Sequence, residues 1–252
     1  MKTITRKSLL YKTEVEYGDY TINHVLGCAH GCLYPCYAFN MAKRFGNVKT
    51  YQEWIEPKLV TNALELLEIE IPKYKKDIKS VQLCFTTDPF MADYPEVCEM
   101  SFKIIQRLNK DNIKAVILTK SVLPDFLLKT SKINEYGITL VSIDEDYRKK
   151  YEPFTPKYDA RIASLKKMHD NGFYTWVSIE PYPTPNIHKQ DLNAILERIC
   201  FVDYIVFGRL HYNGLVSKFR GYKEYYNELA LHVEEYCKER GIKCHIKSGT
   251  KI

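Results

Sequence analysis

Residues Ser80–Lys120 read SVQLCFTTDPFMADYPEVCEMSFKIIQRLNKDNIKAVILTK. Two short apolar runs, SVQLCF and KAVILTK, flank a segment with helical spacing, YPEVCEMSFKIIQRLNK. In that segment Val97, Phe102, Ile104, Ile105 and Leu108 fall on one helix face. The apolar runs are nearly continuous rather than alternating, as in strands covered on both faces. A strand, a helix and a second strand in this order predict a parallel unit with a right-handed crossover.

The same unit recurs outward in both directions. Further strand-like runs are TINHVLG, GITLVSI, FYTWVSIE and VDYIVFG, with KCHIK as a weak seventh. Helical patterns lie between them, in EPKLVTNALELLEIE, LPDFLLKTSKINEY, KYDARIASLKKMHDNG, HKQDLNAILERIC and YKEYYNELALHVEEYCKERG. Such alternation is the signature of an α/β domain with a parallel sheet. Six or so units suit an open, partial (β/α)6 TIM-like barrel better than a closed eightfold one. In barrels of this kind the chemistry gathers at the C-terminal ends of the strands.

Composition narrows the function classes. The 252 residues are 45% apolar, enough for one sizeable core. With 37 Lys and Arg against 31 Asp and Glu, the net charge of +6 is a mild bias toward anionic partners. The 20 tyrosines can stack on rings or fill a core with the hydroxyl at its rim. The first 20 residues lack the continuous apolar segment of a signal peptide. No apolar run approaches the length that spans a bilayer. The expectation is therefore a cytoplasmic protein without membrane contact, whose thiols stay reduced and whose clustered cysteines bind metal.

Polar groups recur at successive strand ends: Thr87 and Asp88, then Lys120 and Ser121, Ser142 and Asp144, Glu180, and finally Arg209, His211 and Tyr212. Helix capping accounts equally well for any one of them, Asp88 and Ser121 in particular. The first strand leads into GCAHGCLYPCYAF, Gly27–Phe39, where Cys28, Cys32 and Cys36 crowd together. A structural zinc site wants four ligands and usually a C-x2-C half. Here His30 or His24 would have to complete it, at untypical spacing. An iron–sulfur cube is the better match, since three thiolates leave one iron open to another ligand. Gly27 and Gly31 permit the tight wrap, with Tyr34 and Tyr37 flanking it. Three buried structural cysteines are the bland alternative.

The loop GCAHGCLYPCYA resembles the cluster loop of the radical S-adenosylmethionine (SAM) enzymes. It is most similar to that of the spore-photoproduct-lyase-like subfamily, G-C-x-H-x-C-x-Y-C-Y-A. TTDPF, VILTKS, VSID, YEPFTPKYDARIASLKKMHDNGF and IEPYPTPN resemble that subfamily's blocks in order. Especially specific are Glu152, Pro153, Pro156, Arg161, Leu165 and Gly172. The resemblance spans about residues 20–210 of a single 1–252 domain. Residues 1–19 and 215–252 are read as terminal extensions. It implies a [4Fe–4S] cluster on Cys28, Cys32 and Cys36, with SAM chelating the open iron. One-electron reduction would then release a 5′-deoxyadenosyl radical that abstracts hydrogen from a substrate. Thr87 and Asp88 would face the methionine amino group, Lys120 and Ser142 its carboxylate, Asp144 the ribose and Tyr37 the adenine. Arg161 would pair with Glu152 or meet SAM. An electron donor such as flavodoxin or ferredoxin is the implied partner, and nucleic acid one substrate class.

Two features depart from the subfamily. Pro35 adds a residue between the last two cysteines, so the loop must bulge or the third ligand shift. The subfamily also places a hydrogen-donating cysteine directly before its T-S-D-like block, where this chain has Phe85. Cys84 is one residue early, and strand alternation would turn it away from Phe85's side. The reading is therefore of an enzyme other than a thymine-dimer lyase; the alternative is a non-catalytic metal- or cluster-binding module that binds nucleic acid.

Overall fold

The computed structural model describes all 252 residues. Strands β1 (Lys2–Ile4), β2 (Leu10–Lys12), β3 (Tyr20–Ile22) and β4 (Val25–Leu26) precede the first helices, α1 (Tyr37–Arg44) and α2 (Tyr51–Ile55). Then come β5 (Lys58–Val60), α3 (Ala63–Tyr74), β6 (Ser80–Leu83), α4 (Pro95–Lys110), β7 (Lys114–Thr119), β8 (Glu135–Thr139), α5 (Glu145–Tyr151) and α6 (Tyr158–Asp170). The chain ends with β9 (Tyr174–Tyr182), α7 (Leu192–Arg198), β10 (Tyr204–Arg209), α8 (Gly214–Ser217), α9 (Tyr222–Arg240) and β11 (Lys243–Ile246).

The main sheet has the order β11-β10-β9-β8-β7-β6-β3-β2. Every neighbouring pair is parallel except β2 with β3, which is antiparallel. The strands do not close on one another, so this is an open, partial barrel of α/β type with helices outside. The Ser80–Lys120 unit forms as its pattern demands. Val81, Leu83, Ala115 and Ile117 are fully buried. Helix α4 starts at Pro95 and turns Val97, Ile104, Ile105 and Leu108 inward. Phe102 is only partly buried and packs at the rim of the core against Phe126.

Several elements differ from expectation. The helix read from Glu56 begins only at Ala63, because Lys58–Val60 pairs with β1 and β4 in a separate three-stranded sheet. The helix expected over Leu123–Tyr136 is just a 3-10 turn at Asp125–Lys129. There Asn134 turns its side-chain oxygen to the Ala115 N–H at 3.0 Å, which ties the segment to β7, and β8 starts at the next residue. The terminal segments are integral to the sheet, since β2 and β11 form its two edges. Between β2 and β3, the Glu16 carboxylate reaches across the barrel opening to His245 Nε2 at 2.7 Å and to the Ser248 N–H at 3.1 Å. Tyr17 packs edge-on against Phe85, Trp176 and His245. No helix is long and apolar enough to cross a membrane.

Candidate active site

A cavity of about 470 Å³ opens at the C-terminal ends of the strands. Cys28, Cys32 and Cys36 all line it, as do Tyr37, Thr87, Asp88 and Lys120. The cysteine loop is held from several sides. Cys28 N–H donates to the Trp54 carbonyl at 2.9 Å, Leu33 N–H to the Tyr151 carbonyl at 2.9 Å, and Phe154 N–H to the His30 carbonyl at 3.4 Å. Gly27 has φ +97°, and a Cβ there would stand 2.5 Å from the Trp54 carbonyl oxygen. Gly31 has φ +61°, and its Cβ would meet the Phe154 ring at 2.4 Å. Gly27 is thus required by close backbone approach and Gly31 by its left-handed backbone. The extra Pro35 is absorbed before α1, which leaves Cys36 as the extended residue that caps this helix and lines the cavity.

The two histidines that might have completed a zinc site are committed elsewhere. His30 Nε2 lies 2.9 Å from Asp88 Oδ2, with both side chains buried. His24 is fully buried, with Nε2 at 2.8 Å from the Ser101 hydroxyl and Nδ1 at 3.4 Å from Cys84 Sγ. Burial, reinforced by the nearby positive charge of Arg6, pushes His24 down to about 3, so its ring is neutral. All eight cysteines are free thiols. Burial raises the thiols of Cys28 and Cys36, and takes Cys32 up to about 12 against the pull of Lys120. Such thiols become thiolates only when a cationic centre compensates them. The Tyr51 hydroxyl is buried without a partner, and its phenol feels the field of all three cysteines. Three thiols lining one cavity, with a spare donor beside them, are the residues that would hold an iron–sulfur cluster, which would supply an electron there.

Asp88 is not a free carboxylate waiting for an ammonium group. It accepts from the Thr119 hydroxyl at 2.7 Å, the Lys120 N–H at 2.8 Å and the Phe90 N–H at 2.8 Å. Burial works to raise this carboxyl, but His30 and these donors hold it below the usual range. Thr87 donates its hydroxyl to the Gly27 carbonyl, and Tyr37 donates to the Phe85 carbonyl at 2.5 Å. Lys120 Nζ sits 2.5 Å from Glu152 Oε1 and 4.5 Å over the Tyr34 ring. Glu152 also takes Arg161 at 3.0 Å and the Tyr34 hydroxyl at 3.1 Å. Burial would raise the Glu152 carboxyl, yet Lys120 and Arg161 bring it down to about 2. Arg161 is therefore a structural partner of Glu152, and it also donates to the Pro156 and Thr139 carbonyls.

Ser142 and Asp144 do not line the cavity. Strand β8 ends at Thr139, earlier than its apolar run suggests. Ser142 is buried and accepts from the Asp144 N–H at 3.0 Å, while Asp144 caps α5 and lies 3.3 Å from His188 Nε2. Thr139 and Ser178 supply the hydroxyl-bearing wall at this level. Cys84 also departs from expectation. Strand β6 stops at Leu83, Cys84 takes φ +62°, and both Cys84 and Phe85 line the cavity. Alternation therefore fails there as an argument about facing. Residues that sequence reasoning left unassigned complete the wall: Glu16, Tyr17, Glu180 and, after β11, Lys247 and Ser248. The strand-end place of Glu180, and the C-terminal CHIKSG segment with Lys247 as one that returns toward the barrel, were the hints at any of them.

The sequence profile of the radical SAM superfamily matches residues 22–199. An uncharacterised protein of Methanocaldococcus jannaschii is 30% identical over 184 residues, covering 71% of this chain and 66% of its own length. One from Acidianus two-tailed virus is 26% identical over 215 residues, covering 78% and 68%. The chain thus spans about two thirds of each of these relatives. Spore photoproduct lyase with bound AdoMet and dinucleoside spore photoproduct superposes with a TM-score of 0.64 at 13% identity, over 96% of this chain and 80% of that one. A tyrosine-to-phenylalanine variant of that lyase gives 0.68 at 13%, over 96% and 80%. SuiB of Streptococcus suis gives 0.52 at 15%, over 75% and 44%. At these identities the structural likeness concerns the fold.

Proposed function

Because the chain belongs to the radical SAM superfamily, we propose that it is an enzyme of that chemistry, with a [4Fe–4S] cluster on Cys28, Cys32 and Cys36. When bound, the cluster supplies the electron that cleaves SAM to methionine and a 5′-deoxyadenosyl radical, which takes hydrogen from an organic substrate. The observation that carries this reading is the absence of a fourth protein ligand. Three thiols line one cavity, while His24 is tied to Ser101 and Cys84 and His30 Nε2 lies 2.9 Å from Asp88 without an aligned hydrogen bond. A structural site would have filled the last position from the chain.

The remaining roles follow from position. Lys120 is held in the cavity by Glu152 and suits a carboxylate. Thr87 and Tyr37 present polar groups beside the cysteine loop. Asp88 acts indirectly, fixing His30 and hence the loop. Thr139 and Ser178 take the contact expected of Ser142. A small redox protein such as flavodoxin or ferredoxin is the fitting electron donor, and nucleic acid one substrate class consistent with the basic charge. A lyase acting on thymine photoproducts needs a hydrogen donor in the cavity. The residue directly before the TTD block is Phe85, not a cysteine, which speaks against that reaction. Anaerobic reconstitution with iron and sulfide, followed by dithionite and SAM, tests the proposal. It expects 5′-deoxyadenosine from the wild type and none from Cys28→Ala, Cys32→Ala or Cys36→Ala. Wild-type protein that takes up one zinc and makes no 5′-deoxyadenosine contradicts it.

A further inference from the structure

The wall of the cavity built by β10 and the residues after it carries an unusual cation. Arg209 ends β10 and lines the cavity. Both lysines of the wall have an acid: Lys120 lies 2.5 Å from Glu152, and Lys247 lies 3.0 Å from Glu180. Arg209 has none, and its Nε is buried without a hydrogen-bond partner. Its main chain is fixed, with the N–H directed at the Thr250 hydroxyl at 3.4 Å. The acids around the wall are already taken, Glu180 by Lys247 and Glu16 by His245 and the Ser248 N–H. The neighbouring His211 is held below its usual range by burial and by Arg209 and Lys247. A buried donor without an acceptor is costly, and native proteins rarely leave one without a reason. The guanidinium is a permanent cation whose planar fork matches the oxygens of carboxylate and phosphate.

We propose that Arg209 selects the substrate by pairing with a phosphate or carboxylate group that the substrate carries into the cavity. What is then done to that substrate rests on the radical SAM reading, but the pairing itself does not. SAM brings a carboxylate of its own, and Lys120 is the cation placed for it. Lys120 is set beside the cysteine loop by Glu152 and the Tyr34 ring, whereas Arg209 stands at the end of β10 beside Thr250. The exposed ring of Tyr212, adjoining His211 at 6.0 Å between centroids, stands at the same wall for the body of the substrate.

The test uses full-length, reconstituted protein loaded with SAM. One arm titrates inorganic phosphate and follows the 31P linewidth; the other titrates acetate and follows 13C. Arg209→Gln and Arg209→Met are compared with the wild type. The wild type should bind at least one of the two anions saturably, and both variants should weaken that binding about tenfold or more. The SAM dissociation constant should change by less than about twofold. The melting temperature should hold or rise, because a buried Nε donor without a partner has been removed. A preference for phosphate assigns a phosphorylated substrate; a preference for acetate assigns a carboxylated one. No saturable binding to the wild type, or equal binding by wild type and variants, overturns the proposal. A lower melting temperature in both variants also overturns it and makes Arg209 a structural residue. SAM binding weakened as much as anion binding overturns it too, by giving the anion site to SAM. Anion binding through Arg209 in protein that yields no 5′-deoxyadenosine would remove the enzymatic reading and leave the anchor in place.

Discussion

His30 lies midway between Cys28 and Cys32, where a metal ligand would be sought first, and it turns instead to Asp88. Its replacement therefore separates ligand from scaffold. His30→Gln keeps a donor for Asp88, and the variant should reconstitute a full cluster with unchanged visible absorption. Each single Cys→Ala variant should lose most of its iron. Equal iron loss in His30→Gln and in the cysteine variants would make His30 a ligand. Glu152 offers a second test, through stability. Its carboxyl falls from an ordinary 4.5 to about 2 in the fold. A depressed carboxyl contributes stability that is fully present above the unfolded value and is lost as pH falls through the folded one. That contribution, about 3 kcal/mol, should disappear between pH 4.5 and 2. Denaturant unfolding across that window should show a steeper pH slope for wild type than for Glu152→Gln. At pH 7 the same variant should be about 3 kcal/mol less stable, because Arg161 is left buried and unpaired. Identical slopes would remove the charge network as the role of this block.

At the scale of elements, the cluster loop is built around two glycines. Gly27→Ala would force a side chain against the Trp54 carbonyl at a left-handed residue, a strain of about 1–2 kcal/mol before the clash is counted. Iron content after reconstitution should drop by more than half, while Gly214→Ala, where a Cβ meets nothing and the backbone is not left-handed, should retain it. The strands of the main sheet were readable because their cores are continuous apolar runs, from Val81 to the buried stretch of β10 at Ile205–Phe207. The point where each strand stops was not. Strand β8 ends at Thr139 although Leu140 and Val141 are fully buried, so the apolar run outlasts the strand and Ser142 leaves the cavity. Cys84 was misjudged for a related reason, since alternation holds only while the backbone stays extended and Cys84 does not. The cysteine triad, Thr87 and Lys120 were legible from strand-end position and reach the same cavity. Lys247 and Ser248 had no role assigned, although KCHIK reads as a weak strand, because only the parallel pairing of β11 with β10 sets where they enter the site.

The whole molecule is an open barrel whose two sheet edges, β2 and β11, come from opposite ends of the chain. Glu16 spans the opening, 2.7 Å from His245. Both partners are about one-third exposed, so the clasp contributes modestly, about 1 kcal/mol. Glu16→Ala should leave the fold intact but speed amide exchange in Lys243–Ile246 and around Tyr17. Unchanged exchange there would mean that packing alone closes the barrel. The proposed chemistry requires one cluster iron that the polypeptide does not ligate. Electron–nuclear double resonance on the reduced, reconstituted protein with SAM labelled at its amino nitrogen and carboxylate oxygens addresses that iron directly. The account predicts strong couplings from both labels, retained in His30→Gln. Coupling from a histidine nitrogen of the protein in place of the SAM labels would contradict it.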